Sequence, residues 1–176
     1  MTGKDNLAVR KLFFSGEFPL LDENNPVDSL KKDYRVLILG DVRRLLYMPE
    51  EGKEIPLSDK VSYVGPFYFY GDTLCSRQIV SVENEMIHRC TDAVFLLENS
   101  SCPGSVTELV NAALLGKTIH IYYVALSSET PETEINSDLW YPMAFALMVG
   151  KNVTCTECQS RDEAIQKILS FVEALK

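Results

Sequence analysis

The stretch Glu98-Asn-Ser-Ser-Cys-Pro-Gly-Ser105 gathers three hydroxyls, an amide, a thiol and a Pro-Gly turn directly after an apolar segment, and Glu108 follows closely. If a helix begins after this loop, its unpaired N–H groups favour an anionic or polar ligand group. The spacing predicts a helix from Val106 to Leu115, with Glu108 in its first turn. A carboxylate there either complements the helix dipole or leans back over the loop as a nucleophile toward a bound ligand. The hydroxyls likewise suit a capped turn or a ligand loop, and spacing alone leaves both pairs of readings open.

Other reactive residues carry less. The five cysteines, Cys75, Cys90, Cys102, Cys155 and Cys158, are an odd number behind a polar N-terminus without a signal-peptide core, so thiols are expected. Cys155-Thr-Glu-Cys158 has Cys-x-x-Cys spacing, but His88 and His120 fall on separate elements without ligand spacing. No metal is expected. Neither Gly-x-Gly-x-x-Gly nor a P-loop pattern occurs, and no cofactor is expected. Seventeen Lys and Arg against 25 Asp and Glu give a net charge of −8, which disfavours nucleic-acid polymers. No apolar run reaches the roughly 20 residues of a membrane span. The expectation is one cytoplasmic domain over residues 1–176, with an irregular insertion around 41–60.

Positioning these residues falls to short apolar runs alternating with segments of helical period, the pattern of an α/β fold with a mostly parallel sheet. Strands are expected at Lys11–Ser15, Arg35–Leu39, Val61–Val64, Asp92–Leu97, Thr118–Val124 and Asn152–Thr156. Asn25 caps a helix with Pro26 at its first position. Between Asp72 and Cys90, the positions Ile79, Val82, Met86 and Ile87 share one helical face. Ser160 and Glu163 form a capping box for the terminal helix. In a doubly wound sheet, ligands sit beyond the carboxyl ends of strands, where the 98–105 loop falls.

The block Thr91–Lys117 resembles the nucleoside 2-deoxyribosyltransferases and related nucleotide N-glycosidases. Their pattern is a buried strand opening with Asp, a polar loop, Gly-x-x-x-Glu, a helix with small residues, then Gly-Lys and a strand. Here these are Asp92, Gly104 to Glu108, Ala112-Ala113 and Gly116-Lys117. The resemblance implies a flavodoxin-like three-layer sandwich with a mostly parallel five-stranded sheet, and an N-glycosyl transferase or hydrolase. Glu108 is then the nucleophile on a nucleoside or nucleoside monophosphate, working through a glycosyl-enzyme intermediate.

The departures are as informative. Where the transferases place an Asp on the base, this chain has Cys102. Its loop, with Ser100, Ser101, Gly104 and Ser105, is closer to relatives acting on 5′-monophosphates. Where the preceding helix carries an Asp, this chain has Asn84, with Glu85 the substitute if the helix is shifted by one residue. A subunit-bridging Asn is replaced by Ala146. Further candidates for substrate contact are Gly16 beside Glu17, Gly65 before Pro66, Asp92 by resemblance, and Phe67 or Tyr68 for stacking a base. The resemblance also implies a homo-oligomer, with Leu139–Val149 as a contact surface; Trp140, Tyr141 and Met143 suit core or interface. The alternative is a non-catalytic nucleotide-sensing domain that keeps the fold without the second acidic group.

Overall fold

A computed structural model describes residues 9–17, 24–46, 54–67, 76–98, 102–124 and 137–176. Six strands form one sheet in the order β2-β3-β1-β4-β5-β6: β1 (Arg10–Ser15), β2 (Ile55–Pro56), β3 (Val61–Gly65), β4 (Asp92–Leu97), β5 (Thr118–Val124) and β6 (Asn152–Cys158). All pairings are parallel except that of the two-residue β2, which runs antiparallel to β3 at the edge. The five parallel strands follow the flavodoxin-like order, and β2 makes the sheet six-stranded rather than five. The order reverses at β1, which lies between β3 and β4. Open α/β sheets form a ligand crevice at such a switch point, beyond the carboxyl ends of the strands.

One expected strand is a helix. Arg35–Leu39 belongs to α2 (Tyr34–Leu39), because Asp33 caps its start by accepting from the Arg35 N–H at 2.8 Å, and Gly40 ends it at φ 71°. Short apolar runs do not distinguish a strand from a buried helix turn. Here the caps decide: Tyr34, Arg35, Ile38 and Leu39 face inward and Leu37 faces out. The expected Asn25 cap does open a short helix, α1 (Pro26–Leu30). Within the 41–60 stretch, the described parts are α3 (Val42–Leu46) and β2.

The remaining helices are α4 (Ser76–Arg89), α5 (Pro103–Leu114), α6 (Ser137–Val149) and α7 (Arg161–Leu175). Consecutive helices α4, α5 and α6 pack side by side, while α2 packs against α3 and α7, so helices flank the sheet in two layers. β4 is buried along its whole length, as expected for a strand covered on both faces. Phe14 stacks on Tyr63 at 5.8 Å and meets Tyr34 edge-on at 6.2 Å, which ties β1, β3 and α2 together beneath the crevice. Met143 is buried, whereas Trp140, Tyr141, Leu147 and Met148 of α6 are exposed. Among the described residues, no helix is long and apolar enough to cross a membrane.

Candidate active site

Glu108 projects into the switch point. Its helix α5 begins at Pro103 after Cys102, so Glu108 lies in the second turn rather than the first, and the dipole-complement explanation loses its geometry. Ser105, Leu109, Ala112 and Ala113 form the buried stripe of α5, and Glu108 falls on that stripe at helical spacing from Ser105 and Ala112. The small alanines let the helix approach the sheet closely. A carboxyl is thereby held where an apolar side chain would otherwise pack.

Its hydrogen-bond partner is Ser15, the last residue of β1, whose Oγ donates to Glu108 Oε2. Ser15 is buried and pairs in register with Phe95 of β4, so the bond crosses the β1/β4 crevice. Gly16 turns the chain away at φ 157°, and a Cβ there would stand 3.1 Å from the Leu96 carbonyl oxygen. Only glycine fits that approach.

Burial pushes the Glu108 carboxyl up from 4.5 to about 7; the Ser15 bond opposes the rise, the charge of Glu83 adds to it, and the charge of Arg35 opposes it. Glu83, half-buried on α4, is itself raised by burial and drawn back by Arg35. Two neighbouring carboxyls raised by burial, of which one ionises before the other, can divide acid and nucleophile roles between them.

On the opposite wall, the first turn of α2 grips the backbone that follows Ser15. The Tyr34 hydroxyl donates to the Ser15 carbonyl at 3.0 Å, and Arg35 donates to the carbonyls of Gly16 and Glu17 at 3.4 and 3.5 Å. Asp33 accepts from the guanidinium at 2.8 and 2.7 Å, and both side chains are fully buried. Burial pushes the Tyr34 phenol well above its usual range, so it remains a neutral donor.

The expected site residues divide. Glu108 and Gly16 lie at the β1/β4 crevice, whereas Cys102, Gly104 and Ser105 stand at the start of α5, with Ser105 Oγ donating to Cys102 Sγ at 3.3 Å. Asn84 accepts from the Asn111 side chain at 2.9 Å and joins α4 to α5. Glu85 is exposed, while its neighbour Glu83 acts on Glu108. Gly65 abuts α4: a Cβ there would stand 2.4 Å from Met86 Sδ. Phe67 is buried edge-on against Tyr63 at 5.3 Å, so its ring belongs to the core. Ser100, Ser101 and Tyr68 lie outside the described residues.

Asp92 is removed from the site. It opens β4 at the end of the sheet away from Ser15, where it receives hydrogen bonds from Arg10, Thr91 and His120. Burial alone would raise this carboxyl, but those bonds outweigh it and hold it well below the usual carboxylate range. Its role is to tie together the start of the central strands.

Ser15, Glu83, Asp33 and Arg35 are the residues that motif reasoning misses. Ser15 was marked only by its place before a strand-ending glycine, and Glu83 by lying four residues from both Ile79 and Ile87 on the apolar face of α4. Among the described residues, no cluster of His, Cys, Asp or Glu could hold a metal ion. Cys155 and Cys158 are free, and their odd separation on β6 points them to opposite faces.

No protein-family model and no curated protein matches this chain. Among solved structures, the fold is similar to that of the CMP N-glycosidase BcmB from Clostridium botulinum, with a TM-score of 0.52 at 14% identity, over 92% of this chain and 99% of that one. The likeness is one of fold.

Proposed function

We propose that the protein is an enzyme that cleaves the N-glycosidic bond of a nucleoside or nucleoside 5′-monophosphate, with Glu108 as nucleophile. The observation that carries this reading is the half-buried Glu108 carboxyl at the switch point, bonded to Ser15, raised by burial and acted on by a second raised carboxyl, Glu83. The similarity in fold to a CMP N-glycosidase supports the bond class and makes a pyrimidine monophosphate the first substrate to try.

In the first step a Glu108 oxygen bonds to C1′ as the C1′–N bond breaks, and its electron pair leaves with the base. Attack takes place in the arrangement in which the single proton of the pair sits on Glu83 and leaves Glu108 ionised, and the departing nitrogen takes up that proton. In the second step water, or another base, attacks C1′ and releases Glu108, so two inversions give net retention. The transition state carries oxocarbenium charge, which the ionised carboxylate stabilises most where water is excluded.

The test is a panel of ribo- and deoxyribonucleosides and their monophosphates, with and without an acceptor base, assayed for free base by chromatography. Release of base by the wild type and its loss in Glu108→Gln supports the reading. No base from any substrate, or full activity in Glu108→Gln, overturns it. A non-catalytic nucleotide-binding domain is the second reading, favoured by the commitment of Asn84 to Asn111. It predicts thermal stabilisation by a ligand that is recovered intact.

A further inference from the structure

The site contains a buried guanidinium whose charge acts on both carboxyls. Arg35 and Asp33 are both fully buried and joined through two bonds, and the same guanidinium reaches the carbonyls of Gly16 and Glu17. Ser15, one residue before Gly16, donates to Glu108, and its own carbonyl is held by Tyr34. The chain from Asp33 through Arg35 and the 15–17 turn to Glu108 is therefore continuous. Burying an ion pair is costly, and a site that needs only a rigid turn can obtain one from neutral groups.

We propose that Arg35 is a positioning residue for Glu108: clamped by Asp33, it fixes the turn that presents Ser15 and supplies the buried positive charge that Glu108 and Glu83 both face. The inference rests on the reading of Glu108 as nucleophile. Without that charge, burial raises both carboxyls further and repulsion opposes ionisation of the second, so less carboxylate is present at neutral pH to attack C1′.

The groups facing Arg35 come from four elements: Asp33 at the α2 cap and Tyr34 on α2, Tyr63 on β3, Glu83 on α4 and Glu108 on α5. Those coupled to Glu108 are Ser15, Glu83, Arg35 and Tyr34. Both carboxyls are drawn toward the ionised form by Arg35, whereas Asp33 acts on neither directly. Asp33 thus holds the guanidinium in place while its own charge is spent on the clamp.

The experiment follows the side-chain carboxyl carbons of glutamate by NMR across pH in the full-length protein, with Glu108 assigned by its absence in Glu108→Gln. The double variant Asp33→Asn/Arg35→Gln removes both charges, leaves no orphaned buried ion, and retains a residue type that caps helices well. Its Glu108 midpoint is expected to rise by about one unit, with base release below the midpoint falling about tenfold. Arg35→Lys keeps the charge but cannot form the fork. It is expected to hold the midpoint within about 0.3 unit while kcat falls at least about tenfold across the pH range.

An unmoved midpoint in a folded double variant overturns the proposal. If the double variant does not fold, Arg35→Lys decides: unchanged kcat in a folded protein overturns it, and lost kcat with a fixed midpoint supports it. The titration needs no substrate. A shifted midpoint in a protein that releases no base defeats the glycosidase reading and leaves the coupling standing, whereas base release with an unmoved midpoint does the reverse.

Discussion

Glu108→Gln should make the protein more stable at alkaline pH while abolishing its proposed activity. The wild-type carboxyl is raised from 4.5 to about 7 in the fold. Its protonated form is therefore favoured in the folded state, and between these values the folded chain binds more protons than the unfolded one. Stability from this group is fully present below 4.5 and is lost as pH rises through 7. At 1.36 kcal/mol per unit, the cost of holding Glu108 ionised above pH 7 is about 3 kcal/mol. Glutamine mimics the protonated form, keeps an oxygen that accepts from Ser15, and removes the repulsion with Glu83. The variant should gain about 2–3 kcal/mol over wild type at pH 8.5 and little at pH 4.5. For a chain of this length, that corresponds to a rise in Tm of about 4–12 °C. Urea unfolding and calorimetry at both values read the difference. An equal effect at the two pH values, or a loss of stability at pH 8.5, would refute the electrostatic account of the site.

Glu83→Gln removes the charge that raises Glu108 and, in the form that carries the pair's single proton, the donor to the leaving base; the acid limb of the pH–rate profile should move down by about one unit while kcat falls, most for poor leaving bases. Asp92→Asn weakens the ties to Arg10 and His120 and should cost about 1–3 kcal/mol at neutral pH with kcat/KM unchanged, as chemical denaturation and steady-state assays can check together. Because the Asp92 carboxyl lies below its usual range, that stability is present above about 4 and disappears as pH falls further, so the variant and wild type should converge in acid. Gly16→Ala forces a side chain toward the Leu96 carbonyl and should lower stability by about 1–3 kcal/mol, with a loss of kcat from the displaced Ser15 turn, measured on the same samples.

The α/β layout was readable because β4 and β5 are apolar runs bounded by polar turns and α5 opens at Pro103-Gly104. Arg35–Leu39 misleads because four apolar residues after an arginine fit a strand as well as a helix stripe, and the deciding contacts are the Asp33 and Gly40 caps. Glu108 stands out through its spacing from Gly104, but its burial depends on the approach of α5 to β1. Glu83 and Glu85 are indistinguishable by type; only the helix phase set by Ile79, Met86 and Ile87 turns the first inward. Asp92 has the type and position of a ligand residue, and the partners that occupy it lie some 80 residues before it and 28 after it in the chain. Long-range pairing of that kind leaves no local signature.

The most direct test of Glu108 as nucleophile is intact and peptide mass spectrometry after incubation with a 2′-fluoro-2′-deoxyarabinosyl pyrimidine monophosphate, whose electron-withdrawing fluorine slows breakdown of a glycosyl-enzyme. The account predicts release of one base and a sugar-phosphate adduct on the peptide that contains Glu108, absent in Glu108→Gln. Base released without an adduct, or an adduct on another residue, would contradict it.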